Sequence, residues 1–325
     1  MVDSPGSIRR RLSTDSPTLL SWLVLLVLLV LNIAVDPHFF SAFSLSTFFT
    51  DAVPLVLVAI GQFVVILSGG IDLSVGSTIS IANTFVAVYM SQKLGSIVEI
   101  TIAVILLGTI AGMINGIIIY YGRIQPILVT LATMSIYGGV AVLILPSPGG
   151  VVPVVLTSVL TGSVVGVPTA VIILALLSGL WWWAHRTRFL LHLISIGSDE
   201  SAAQMNGVRV GLVKIAAYSV SGLFAALSGL YMAAQTTSGD PNIGGPLLLL
   251  SIAAVVIGGV RLSGGRGSLL GVISGAFILS ILGSIMYLAG VSSYYQDLFQ
   301  GLILLVAVGI SSYQGLRNRY TRAYA

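Results

Sequence analysis

Long apolar stretches, interrupted by short polar or glycine-rich segments, repeat along the whole chain. Within them polar and apolar positions do not alternate, as a half-buried strand or a membrane β-barrel would require. The pattern predicts about ten helices, over 19–35, 52–67, 73–92, 97–121, 127–145, 167–184, 213–234, 247–260, 268–288 and 298–313. Most reach the roughly 17–25 residues that cross a hydrocarbon layer, and a helix satisfies its backbone polar groups within one segment. The eighth is short. It reads either as a full span that borrows from its flanks or as a half-membrane helix buried among others.

Composition and charge fix the class and the orientation. Of 325 residues, 56% are hydrophobic and 7% charged, and the mean hydropathy is +1.06. Soluble domains carry roughly 25% charged residues, so the fold class is an all-α polytopic membrane protein. The lack of cysteine excludes disulfides and zinc- or haem-thiolate chemistry. If Arg9, Arg10 and Arg11 are cytoplasmic and the chain crosses ten times, thirteen of its 14 basic residues share that side, and only Lys93 lies outside. Both termini are then cytoplasmic. The organisation predicted is a tail over 1–18, a transmembrane domain over 19–316 with a cytoplasmic loop at 185–214, and a second tail over 317–325. Three arginines before the first apolar run also suit a signal peptide, but Asn32-Ile33-Ala34-Val35-Asp36-Pro37 makes a poor cleavage site, so the run reads as a retained helix.

One carboxylate falls in a glycine-rich break between two apolar stretches, Ser68-Gly69-Gly70-Ile71-Asp72-Leu73-Ser74-Val75-Gly76. Gly69 and Gly70 can bend where a Cβ would clash, and Asp72 stands where it could cap the helix that Leu73 begins. The charge count puts this break toward the inner face, as a tight turn near Arg261 and Arg266. Two further non-helical regions stand out. The outer one, 146–168, is uncharged and holds a short apolar piece around 154–160; it suits a surface loop and a docking site for an external partner equally. The inner one, 185–214, contains a run over 198–207 that begins with Ser198 and Asp199, carries Glu200 in its first turn and stops at Asn206-Gly207. Those are start and stop signals of a short amphipathic helix.

Several chemistries are absent. No G-x-x-x-x-G-K-[ST] loop occurs, so ATP is not cradled in that way by this chain. His185, His192 and Asp199 form the one group resembling a metal cluster, in a charged loop that needs no metal to explain it, and His38 stands alone. Away from their ends the predicted spans hold no Asp, Glu, Lys, Arg or His: Glu99 and Lys214 fall within the first three residues of a span, Asp72 stands at an edge, and Asp51, Asp240 and Asp297 are assigned outside. That argues against an ion-coupled carrier, which remains the alternative, with a passive channel ranked below it.

Val64-Val65-Ile66-Leu67 followed by the Ser68–Ser77 run, the His185-Arg186-Thr187-Arg188-Phe189 turn, the Ile196-Gly197 to Gly207-Val208 loop, and Val255-Val256-Ile257-Gly258-Gly259 with Leu262-Ser263-Gly264-Gly265-Arg266-Gly267 occur in this order. Together they resemble the ribose/xylose/arabinose-type permeases of bacterial ABC importers, over residues 18–316. The turn reads Phe189-Leu190-Leu191-His192, where many relatives have glycine after the phenylalanine. The resemblance implies an inner-membrane permease subunit, paired with a second copy or a paralogue. It would receive a monosaccharide from a periplasmic binding protein and be driven by a cytoplasmic ATPase that alone binds ATP, so no cofactor belongs to this chain. It implies family-motif positions at Gly69, Gly70, Asp72, Ser74 and Gly76, and a coupling helix carrying Asp199, Glu200, Ala202, Ala203 and Gly207. For the sugar path, the polar positions on apolar helices are Gln62, Asn83, Asn115, Thr130, Thr133, Ser135, Tyr137 and Gln235. Uncharged donors and acceptors suit a neutral polyol, although such side chains also glue helices together, and Gly108, Gly112 and Gly116 at four-residue spacing read as a packing face.

Overall fold

The computed structural model describes residues 16–292 except 185, together with isolated positions between 295 and 309. Arg9, Arg10, Arg11, His185, Asp297, Arg317, Arg319 and Arg322 lie outside the described residues, as do most of the predicted tenth helix and the C-terminal tail.

The described residues form twelve helices and one tiny hairpin: α1 (Ser16–Val35), α2 (Ala42–Leu67), α3 (Val75–Tyr89), α4 (Leu94–Gly122), α5 (Pro126–Ile144), α6 (Val154–Thr161), β1 (Ser163–Val164), β2 (Val167–Pro168), α7 (Thr169–Ala184), α8 (Arg188–Ser198), α9 (Glu200–Met205), α10 (Val210–Thr236), α11 (Gly245–Ile257) and α12 (Leu269–Leu288). Among the described residues, six are long and apolar enough to cross a membrane, namely α1, α2, α4, α5, α10 and α12, while α3, α7, α8 and α11 are shorter apolar helices. The described residues thus hold a mixture of full-length and short apolar helices, with the short ones including the eighth predicted helix.

Helix α2 begins ten residues before the predicted start at 52. Ser41 caps it, accepting from the Ser44 N–H at 3.1 Å, and the helix carries Asp51 and continues through Pro54. The polar run Ser44-Leu45-Ser46-Thr47 looks like a loop by composition, but the cap and the following apolar turns carry it into the helix.

Helix α10 occupies the middle of the bundle and packs on α2, α3 and α4. Its contact with α4 is made by glycine. A Cβ on Gly112 would lie 2.0 Å from the Tyr218 carbonyl oxygen, one on Gly222 would lie 2.0 Å from that of Gly108, and one on Gly116 would lie 2.6 Å from the Ile215 Cα. Backbones this close gain dispersion contacts that larger side chains would prevent. The predicted small-residue face is therefore the main internal seam. A second group joins α1 and α2 to α12, with Ser21 and Ser274 hydroxyls 2.7 Å apart between α1 and α12.

After α10 stops at Thr236, the chain turns back along α3. Gly239 pairs with Gly149 and would touch Ala87 with a Cβ; the Asp240 N–H donates to the Asn83 side-chain amide oxygen at 2.7 Å; the Gly244 N–H donates to the Ser80 hydroxyl at 3.2 Å; and Gly244 abuts the Gly76 carbonyl. Residues 87, 83, 80 and 76 descend α3 by about 16 Å at 1.5 Å per residue, so α11 starts deep in the bundle. Of the two readings of the eighth predicted helix, the structure has the short one, 13 residues fed by a non-helical segment in which Gly239, Pro241 and Gly244 are buried and Thr237 and Asn242 exposed.

Candidate functional site

The glycine-rich motifs, far apart in sequence, meet at one end of the bundle. Helix α2 closes with Gly69 at φ +84°, the Gly69 N–H on the Ile66 carbonyl and the Gly70 N–H on the Val65 carbonyl. Helix α11 closes identically in kind, with Gly259 at φ +84°, its N–H on Val256 and the Val260 N–H on Val255. Both are Schellman stops, which need a residue that tolerates positive φ. The two turns are joined by a hydrogen bond from the Gly265 N–H to the Leu67 carbonyl at 3.0 Å. Gly197, in the last turn of α8, is wedged against both: its Cβ would sit 2.1 Å from the Leu67 oxygen and 2.4 Å from the Gly265 nitrogen. A signal for the pairing existed in the sequence, since Gly69-Gly70-Ile71-Asp72-Leu73-Ser74 is echoed by Gly258-Gly259-Val260-Arg261-Leu262-Ser263.

Helix α9 grows directly out of this junction. Asp199 caps it by accepting from the Ala202 N–H at 3.0 Å, and Glu200 occupies the first turn, where a negative charge complements the helix dipole. It closes with a third Schellman stop: Gly207 at φ +81°, its N–H on Gln204 and the Val208 N–H on Ala203. Ala203 is buried against the bundle while Asp199, Glu200 and Gly207 face outward and Ala202 is half-buried. The Lys214 ammonium holds Glu200 at 2.6 Å and so ties α9 to the first turns of α10. The short helix predicted over 198–207 is present. Sequence reasoning missed the preceding amphipathic helix α8, whose Leu190, Leu193, Ile194 and Ile196 are buried, and also missed Met205, an apolar side chain 82% exposed on α9.

Asp72 is placed differently from its expectation as the cap of a helix starting at Leu73. Helix α3 starts at Val75, and the Asp72 carboxylate instead accepts from the Ser74 N–H at 3.0 Å and the Ser74 hydroxyl at 2.6 Å on one oxygen, and from the Ser221 hydroxyl at 2.9 Å on the other. The first two bonds form a local Asx-type turn; the third crosses to α10. Asp72 is 1% exposed. Ser221 lies seven residues, about 10 Å, along α10 from Lys214, so the chain turns at Gly69 and carries the carboxylate back into the bundle. The Asn115 amide nitrogen extends the cluster by donating to the Ser74 hydroxyl at 2.8 Å, and Thr130 donates to the Ile71 carbonyl at 3.3 Å. Gly76 adjoins Gly244, where the starts of α3 and α11 meet.

The polar positions considered for a sugar path do not converge. Asn115 and Thr130 belong to the Asp72 cluster, and Asn83 holds the returning segment before α11. Gln62 is fully buried in α2. Thr133 and Ser135 bond carbonyls of their own helix, Tyr137 donates to the Ala111 carbonyl at 3.0 Å, and Gln235 donates to Asp51 at 2.6 Å. Gln62, Asn83, Asn115 and Thr130 are sealed inside a single chain, whereas Ser135 is exposed and Tyr137 and Gln235 are half-buried. Among the described residues no group of three or more His, Asp or Glu side chains is arranged to hold a metal ion.

Six helices long and apolar enough to cross a membrane, with shorter apolar helices packed among them, make the chain a multi-pass membrane protein. Residues 44–308 match the family described as branched-chain amino acid transport system permease component, and the chain belongs to that family. It is 32% identical over 306 residues to the ribose import permease protein of Haemophilus influenzae, covering 92% of this chain and 94% of that one. It is 31% identical over 328 residues to the galactose/methyl galactoside import permease protein of Escherichia coli, covering 92% and 95%. It is 32% identical over 288 residues to the autoinducer 2 import system permease protein of Yersinia pseudotuberculosis, covering 87% and 81%. These relatives match the resemblance to monosaccharide ABC importer permeases carried by the motifs. No solved structure matches.

Proposed function

We propose that the chain is the permease subunit of an ATP-driven, binding-protein-dependent importer and forms, with a second copy or a paralogue, the path for a monosaccharide or similar small polyol by alternating access. A periplasmic binding protein delivers the sugar at the end where Gly149 and Gly239 pair, and a cytoplasmic ATPase docks at α9. The observation that carries this reading is the rigid mounting of α9: capped at both ends, pinned by Lys214–Glu200, and rooted in the junction where the turns after α2 and α11 touch. A push on α9 is transmitted by backbone contact at Gly197 to both interrupted helices at once. In this reading the chain crosses ten times with cytoplasmic termini, the coupling residues are Asp199, Glu200, Ala202, Ala203 and Gly207, and the sugar path between two copies draws on surface positions such as Ser135, Tyr137 and Gln235. Gln62, Asn83, Asn115 and Thr133 then serve packing inside each copy.

Reconstitution in liposomes tests this. The chain alone takes up no radiolabelled sugar and hydrolyses no ATP, and addition of its ATPase and binding protein produces both. Uptake by the chain alone under a proton or sodium gradient would establish the ion-coupled carrier instead.

A further inference from the structure

The Asp72 cluster has an unbalanced set of atoms. All three hydrogen bonds that reach the carboxylate among the described residues come from serine groups, and the carboxylate is buried. Two further buried oxygens of this region, the Asn115 amide oxygen and the Tyr218 hydroxyl, have no hydrogen-bond partner among the described residues. Asn115 is fixed by its donation to Ser74, which itself donates to Asp72. Tyr218 lies one turn before Ser221 on α10, and its hydroxyl occupies the space that a Cβ on Gly70 would take, at 2.3 Å. The hydroxyls of Tyr218 and, from α5, Tyr137 are within electrostatic reach of the carboxylate. The N-terminus of α3, which follows Asp72, offsets part of its charge but reaches neither orphaned oxygen.

An amide oxygen can be satisfied only by a donor or a cation, and a buried carboxylate calls for neutralisation. The atoms available are all oxygens, the ligand type of hard cations rather than of zinc or copper. One carboxylate among neutral oxygens balances a single positive charge, whereas a divalent ion would leave net charge buried. We propose that the break between α2 and α3 binds one sodium ion, held by the Asp72 carboxylate, the Asn115 amide oxygen and the hydroxyl oxygens of Tyr218 and Ser221. The ion ties the break to α4 and α10 and fixes the start of α3, and ATP remains the source of energy for transport.

The test uses the full chain in lipid nanodiscs. Binding of ²²Na⁺ to the wild-type protein is saturable at one ion per chain, and thermal unfolding shifts upward with sodium chloride but not with choline chloride of equal ionic strength. Asp72→Asn loses both responses, and Asn115→Ala, which keeps the carboxylate, weakens sodium binding at least about tenfold. Absence of saturable binding to the wild type, an equal response to choline, or sodium binding that is unchanged in Asp72→Asn would overturn the proposal and leave water or a proton as the occupant.

Discussion

Within the α4–α10 seam, single methyl groups decide whether two backbones can touch. Gly112→Val would drive α4 from the Tyr218 carbonyl, so we predict loss of monodisperse protein on fluorescence-detected size exclusion. Gly139→Ala, with open space around its Cβ, is predicted to be neutral or to gain about 0.5 kcal/mol by restricting the unfolded chain, measured by thermal unfolding. Around Asp72, Ser221→Ala removes one of the carboxylate's donors; the expected cost is about 1.5–3 kcal/mol, seen as a lowered unfolding midpoint. That Asp72 matters was legible in its charge and its glycine neighbours. Its partner Ser221 was not, because 149 residues separate the two and serine on an apolar helix carries no sign of whom it bonds.

For the elements, legibility followed how local the signal is. Helix α9 was readable because Asp199, Glu200 and Gly207 are its own cap, dipole partner and stop. Helix α8 was not, since its identity as a helix depends on Leu190, Leu193 and Ile194 finding a buried surface. Nor could sequence decide whether the eighth predicted helix spans: that rests on the hydrogen bonds that Asn83 and Ser80 accept from the backbone of residues 240 and 244. The mounting of α9 predicts how it fails. Glu200→Lys sets two cations together where an ion pair now stands and should uncouple ATP hydrolysis from sugar uptake while membrane insertion is retained. The exchange Glu200→Lys with Lys214→Glu should restore much of the coupling, and equal loss in both variants would mean that Glu200 acts on the partner rather than through Lys214. Gly207→Val forces a β-branched residue into the left-handed region, at a cost of about 1–2 kcal/mol, and should lower transport without changing insertion.

On the scale of the whole molecule, three stretches that adjoin in no order along the chain share one junction: the turn after α2, the end of α8 and the turn after α11. Short helices α3 and α11 begin where Gly76 meets Gly244, so movement at the junction reaches the middle of the bundle through only a few residues. The sequence lacks cysteine, which makes the central claim directly measurable. Single cysteines at Ala202 on α9 and at Gln92 between α3 and α4 can be cross-linked in membranes containing the partner ATPase. The account predicts adducts with the ATPase from the cysteine at position 202 and none from position 92; adducts from position 92, or none from position 202 in a transport-competent complex, would contradict it.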